Sequence, residues 1–236
     1  MSRWDFQPYE PVAQKKAKAG LARVKMQKND LALAPVIIEG RDIAKTWWGK
    51  AWCKNLESYA DYSNRIGRGR SYVRNGAVLD LKIGKGLVQA KIIGTRVYDA
   101  EIRIDTLSEE LALEITGLVG RQIDSMSDLL EGKFPDVFKE LFLTQKKGLF
   151  PSPNEIHLYC SCPDWASLCK HLAAALYGVG ARLDEDPMLF FTLRGLDVSA
   201  FVKASVEEKI ETMLKNAGNT TDRVIEDADL SALFGL

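Results

Sequence analysis

The 236-residue chain is 46% apolar and 27% charged, the make-up of a soluble globular protein and unlike that of a disordered or collagenous one. No apolar run approaches the roughly 18 residues a membrane-spanning helix needs. Met1-Ser2-Arg3-Trp4-Asp5 has no apolar signal region, so a cytoplasmic protein is expected. The zero net charge hides an asymmetry: residues 1–103 hold 20 Lys/Arg against 10 Asp/Glu and residues 104–236 hold 12 against 22, or +10 and −10. Either the first part meets an anion or the two parts neutralise each other.

Residues 1–40 begin with a lysine-rich run, Gln14-Lys15-Lys16-Ala17-Lys18, and continue through Arg23, Lys25 and Lys28 with little apolar periodicity. This reads as an extended or partly disordered basic arm, solvated or in contact with phosphates. Val36-Ile37-Ile38 after Pro35 suits a short strand or packing on the next helix. From Ile43 to Tyr62 the residues Ile43, Trp47, Trp48, Ala51, Trp52, Leu56 and Tyr59 recur at helical spacing. The tryptophan stripe is expected in the core, with Cys53 beside it as a packed thiol.

Arg65-Ile66-Gly67-Arg68-Gly69-Arg70-Ser71-Tyr72-Val73-Arg74 sets four arginines among two glycines and a tyrosine, and Asn75-Gly76 follows. A strand at 71–74 turning at Asn75-Gly76 is expected, leading into three strands at Ala77–Ile83, Leu87–Ile93 and Val97–Ile104. Their glycine-bearing turns make an antiparallel meander. Tyr98, Ala100, Ile102 and Ile104 fall on one face, and Asp99, Glu101 and Arg103 on a solvated one.

Residues 108–146 turn helical, with Leu111, Ile115, Leu118 and Val119, then Ile123, Met126, Leu129 and Leu130, then Val137 to Leu143 after Pro135. A loop at 148–153 precedes a strand at Glu155–Tyr159. Leu172, Ala175, Leu176, Val179 and Leu183 form a helix that ends at Asp184-Glu185-Asp186-Pro187, before a short helix at Met188–Leu193. Asp197 caps a further helix with the stripe Val198, Phe201, Val202, Val206, Ile210, Met213 and Leu214. An acidic tail from 218 ends in Leu230, Leu233 and Phe234, which either fold back on the chain or dock in a partner's groove.

Between the strand at 155–159 and its helix lies the chemistry. Cys160-x-Cys162 and Cys169-x-His171 offer three sulfurs and one nitrogen, the set that tetrahedral zinc takes. Residues i and i+2 of an extended segment point to one side, and Pro163-Asp164 turns the chain back. Disulfides would require an oxidising compartment, and the order of ligands departs from that of the fingers that read bases with a helix. Four protein ligands leave no open position for catalysis, so one structural Zn2+ and no enzyme are expected. No phosphate loop or dinucleotide fingerprint is present. His157 is expected on a solvent-facing strand position.

The pattern Cys160, Cys162, Cys169, His171, with Pro163-Asp164 and Lys170-His171-Leu172, resembles the SWIM zinc finger. The resemblance implies a small ββα unit that binds zinc and serves to bind DNA or protein. Thr46-Trp47-Trp48-Gly49-Lys50-Ala51-Trp52, Arg68-Gly69-Arg70-Ser71-Tyr72 and the hairpins are similar to the region that precedes the finger in bacterial stand-alone SWIM proteins. Those are companions of Swi/Snf-type helicase-like ATPases, which implies such an ATPase as a partner.

The fold class is therefore α+β. A basic arm (1–40), a helix with a β-meander (41–106), a helical connector (107–150), the zinc finger (151–183), C-terminal helices (184–217) and the acidic tail (218–236) succeed one another. The expected function is that of a zinc-binding, non-catalytic nucleic-acid-binding accessory protein. Arg65, Arg68, Arg70, Arg74 and Lys170 would meet phosphates and Tyr72 would stack on a base. Two alternatives stand beside it, an adaptor that docks on such an ATPase without touching nucleic acid, and an enzyme using Cys53 or a finger cysteine as nucleophile. Neither a membrane nor a small-molecule substrate is expected.

Overall fold

The computed structural model describes residues 10–59, 63–120 and 149–197, with single helical positions between 203 and 215. The helices expected at Ile123–Leu130 and Val137–Leu143, the positions Val198, Phe201 and Val202, and the tail with Leu230, Leu233 and Phe234 lie outside the described residues.

Three strands, β1 (Val78–Gly84), β2 (Leu87–Ile93) and β3 (Val97–Ile104), form the expected antiparallel meander. A fourth, β4 (Ile156–Cys160), joins it antiparallel to β3, giving the order β1-β2-β3-β4. Alternation sets the two faces. Val88, Ala90, Ile92, Tyr98, Ala100, Ile102 and Ile104 are buried. The other face carries charge, with ion pairs Lys91–Asp99 at 2.7 Å and Arg103–Glu101 at 2.8 Å. His157 stands exposed on that face, 3.0 Å from Asp105. At the β1 edge Val36 N–H donates to Val78 O and Leu81 N–H to Ala34 O, so the segment after the first helix lies along the sheet as an extended chain.

The apolar face is covered by α5 (Lys170–Glu185), where every residue from His171 to Ala181 is buried. Around α5 pack α2 (Trp47–Glu57), α3 (Ser63–Arg74) and α6 (Met188–Leu193); α4 (Glu109–Gly120) follows β3 and contributes the buried Ile115. The tryptophan stripe of α2 sits where expected. Trp52 is fully buried, its indole N–H donating to Leu176 O at 2.8 Å, and Trp48 donates to Leu183 O at 2.8 Å. Thr46 caps α2 by accepting from Gly49 N–H at 3.2 Å, and Asp184 of α5 accepts from the Thr46 N–H and hydroxyl. That cap crosses between two helices, which no local pattern displays.

Two expectations are corrected. The basic arm contains a helix, α1 (Val12–Gln27), with Ala19 its one buried residue. Its Ala, Lys, Gln, Leu, Arg and Met content is that of a strong helix former, and propensity acts there without an apolar stripe to reveal it. The arginine-glycine stretch is not a strand with a hairpin turn but helix α3. Gly76 (φ 71°) ends it: Gly76 N–H donates to Val73 O at 3.0 Å and Ala77 N–H to Tyr72 O at 3.1 Å. These paired bonds to a left-handed glycine are a Schellman motif, a helix stop written with the same Asn-Gly dipeptide as a hairpin turn.

The glycine that allows α3 is Gly69. A Cβ there would stand 2.7 Å from the Ala173 backbone carbon and closer still to Ala173 Cβ, so α3 rests directly on α5. Gly67, in the same helix, faces open space. Gly69→Ala is therefore expected to cost about 1–3 kcal/mol through overpacking, whereas Gly67→Ala should stabilise by roughly 0.5–1 kcal/mol through helix propensity. Thermal denaturation of the two variants checks the contrast; equal shifts would remove the close crossing.

Candidate metal centre

β4 delivers Cys160 as its last residue, opposite Ala100 of β3. The ladder continues one residue further, Ser161 N–H donating to Asp99 O at 2.9 Å and Asp99 N–H to Ser161 Oγ at 3.0 Å. The chain then bends through Cys162 and returns to Cys169, the N-cap of α5, with His171 in the first turn. The three sulfurs and a ring nitrogen lie within 4.8 Å of one another. A tetrahedral shell with bonds of about 2.3 Å to sulfur and 2.0 Å to nitrogen needs donor separations of about 3.5–3.8 Å. His171 Nδ1 is 4.0 Å from Cys160 Sγ and 3.9 Å from Cys169 Sγ, so the donors already converge on nearly that shell.

Backbone amides prepare the sulfurs for negative charge. Cys160 accepts from the N–H of Cys162, Cys162 from that of Asp164, and Cys169 from that of Leu172 at 3.4 Å. The last of these is a helix cap made by a thiolate in place of a hydroxyl. The Cys160 thiol donates to Cys169 and is thereby pushed up, as it is by burial. Burial also raises Cys162. Cys169 is held down to about 4 by the Cys160 hydrogen bond, against its own burial, with help from His171 and the Leu172 amide.

The histidine is deeply enclosed, 3% exposed, second only to Cys169 in the cluster. Nδ1 faces the sulfurs, while Nε2 is buried with no hydrogen-bond partner among the described residues. The ring is held by packing: Tyr98 is stacked on it at 4.6 Å and Tyr72 meets it edge-on at 5.5 Å. Gly94 closes over Nε2, where a Cβ would stand 2.8 Å away. A buried imidazole with its free nitrogen orphaned and Nδ1 among three sulfurs fits a metal ligand better than a core residue. The donor set is that of one structural zinc, with no position left for substrate.

Residues 146–179 match the model of the SWIM zinc finger. The chain carries a SWIM zinc finger. A finger of this type is a binding domain. Its described part supplies one strand, β4, and borrows the meander for the rest of its sheet. The chain is also similar to Rv2102, an uncharacterized protein of Mycobacterium tuberculosis, at 36% identity over 156 residues, 65% of this chain and 56% of that protein. It thus spans a little over half the length of this relative. No solved structure matches the chain. No helix among the described residues is long and apolar enough to cross a membrane.

The six residues expected to meet nucleic acid are distributed along α3 and the finger's first turn. Arg65 pairs with Asp164 at 3.2 Å. Arg70 pairs with Glu57 and donates to the Tyr177 hydroxyl at 3.1 Å, which keeps its guanidinium charged. Tyr72 is not free to take a base, because it lies against His171 and beneath Lys170, whose Nζ is 5.3 Å from the ring. Arg68 and Arg74 are exposed. Beside Lys170 opens a cleft of about 150 Å³ lined also by Glu10, by Lys15 and Lys18 of α1, and by Tyr72, Asn75 and Thr95. Sequence reasoning missed α1 as a wall of this cleft, and it passed over Trp165, which stands fully exposed between the ligands.

Cys53 is outside the cluster, packed where a Cβ on Gly180 would touch its sulfur at 2.7 Å. Burial, then Glu57 and Asp184, push its thiol up to about 12, so it is protonated and a poor nucleophile at neutral pH.

Purified protein is expected to carry one zinc per chain by elemental analysis. Cys162→Ser or His171→Ala should lower both zinc content and melting temperature, since ligand loss forfeits folding energy; fully stable, zinc-free wild type would exclude the site. A second expectation concerns protons. The hydrogen bond to Cys169 and burial favour the protonated Cys160 thiol, and thiols lose their protons when they ligate, so zinc uptake near pH 7 should release protons. Affinity then falls as pH falls. Calorimetric titration in buffers of different ionisation enthalpy counts the protons.

Proposed function

We propose that this chain is a zinc-stabilised, non-catalytic accessory protein that binds nucleic acid with little sequence preference. The observation that carries the reading is α1, whose Lys15, Lys16, Lys18, Arg23 and Lys25 are accompanied by no acid between Val12 and Gln27. Folding turns that charge into a surface feature of the finger, because Lys15 and Lys18 share the cleft with Lys170. Lysines grouped in this way neutralise phosphates and release counterions without reading bases. Arg68 extends the cationic surface along α3. The similarity to finger proteins that accompany Swi/Snf-type helicase-like ATPases supports such an ATPase as the protein it acts beside.

A second reading, an adaptor that holds such a partner without touching nucleic acid, is favoured by one observation. Val206, Ile210, Met213 and Leu214 are helical and exposed, an apolar stripe at i, i+4, i+7 and i+8.

Lys18→Ala combined with Lys170→Ala separates the two. On the first reading the slope of log affinity against log salt for duplex DNA falls by up to about 1.8, at about 0.9 for each phosphate no longer neutralised, with zinc content and melting temperature unchanged. On the second the wild type shows no salt-dependent DNA binding, and a partner stays bound at high salt. Fluorescence anisotropy across a salt series and affinity purification supply the readouts. Arg70→Ala serves as a control, because its paired guanidinium predicts lost stability more than lost binding.

A further inference from the structure

We infer that the loop between the zinc ligands is a stacking platform for an unpaired nucleobase, with Trp165 as the stacking surface. This rests on the nucleic-acid reading above and narrows its ligand to single strands. Trp165 has 101% relative exposure, and no other described tryptophan is exposed. The indole therefore contributes nothing to the core, although residues on both sides of it are tied down. Cys162 and Cys169, both zinc ligands, bound the loop, and Leu168 is buried beneath it at 1% exposure. Asp164 accepts from Ala166 N–H at 3.3 Å and from Arg65 Nη2 at 3.2 Å, tying the turn to α3.

A large apolar side chain on a braced loop is preorganised to bind, since little freedom is lost when a ligand arrives. The chemistry around it selects the ligand. A tryptophan at a protein interface normally sits within an apolar core, but here Pro163 and Ser167 are exposed beside it and the adjoining Asp164 is paired with Arg65. Arg68 comes one turn after Arg65 on α3, exposed and without an acid partner among the described residues, and Tyr72 follows one turn later beneath Lys170. From Arg65 to Tyr72 the helix rises about 10 Å at 1.5 Å per residue. An exposed aromatic on a loop tied to α3, and exposed cations along α3 itself, are the two parts with which single-strand binders hold base and backbone together. In a duplex the base faces are covered by their neighbours, so an indole on a loop gains little there.

The test measures anisotropy of a labelled oligothymidylate of about 15 nucleotides, within the usual range of single-strand site sizes, and of a duplex of equal length. Wild type, Trp165→Ala and Trp165→Phe are compared, with zinc content and melting temperature measured for each. The wild type is expected to prefer the single strand. Trp165→Ala should weaken that binding about tenfold while leaving duplex binding, zinc and stability unchanged, and Trp165→Phe should keep most of the affinity, as base stacking requires. If Trp165→Ala binds the single strand like wild type, or loses both strands equally, the platform is overturned while nucleic-acid binding stands. If wild type binds neither oligonucleotide, both readings fall.

Discussion

Helix α5 has almost no solvent face, and most of the architecture follows from that. A helix with His171 to Ala181 buried throughout must be met on every side, and close approach is possible only where side chains are small. Gly69 lets α3 lie on Ala173, and Gly178 faces Leu81 and Val36 on the sheet side. On the α2 side Gly180 faces Trp52 and Cys53. This contact brings the Trp52 indole to the Leu176 carbonyl. The alanines of α5 at 173, 174, 175 and 181 serve the same end, and a helix of strong formers with two glycines tolerates their propensity cost because its neighbours fix it.

The metal centre sits at the N-terminal end of this helix and is built into its packing. Cys160 comes from the sheet through β4 and its pairing with β3, and Cys169 and His171 come from α5. Zinc therefore ties sheet to helix at one corner. The other end is tied without metal, by Asp184 at the start of α2 and by the buried Arg194, which donates to Asp105 O at 2.6 Å and to Glu155 at 2.7 Å. An apolar core of this extent supplies stability of its own, unlike that of an isolated zinc-finger peptide, whose folding energy is the metal's. What the metal governs most directly is the order of the loop from Cys162 to Cys169 and the enclosure of His171 between Tyr72 and Tyr98.

The features legible in the sequence are those with a short period or a fixed spacing. The three meander strands stand within one residue of where the pattern puts them, and β2 and β3 alternate in burial with period two. The ligands are read from donor chemistry at close spacing, and the tryptophan stripe from helical recurrence. What escaped is non-local. Nothing near Gly69 says that Ala173 will lie against it, so an arginine-glycine run reads as the approach to a hairpin. Asn75-Gly76 is a stop signal shared by hairpins and helices, and the paired bonds that distinguish them need the preceding turn to be helical. Arg194 is an ordinary basic residue until Glu155, far away in sequence, is placed beside it. Helix α1 escaped for another reason, since it is held by propensity and by Ala19 alone.

The opposing charges of the two parts of the chain meet only in part. Among the described residues Arg65 uses an acid from the second part, Asp164, whereas Arg70 uses Glu57 from the first. Of the arginines of α3, those at 68 and 74 are exposed and have no such pair among the described residues. The lysines of α1 lie on an element with a single buried residue, which has little packing reason to be there. Basic residues gathered on one helix, two of them lining a cleft with Lys170 and Glu10, raise the potential there. The same ion pair that spends Arg65 on Asp164 also ties the turn carrying Trp165 to α3, the helix on which Arg68 is exposed.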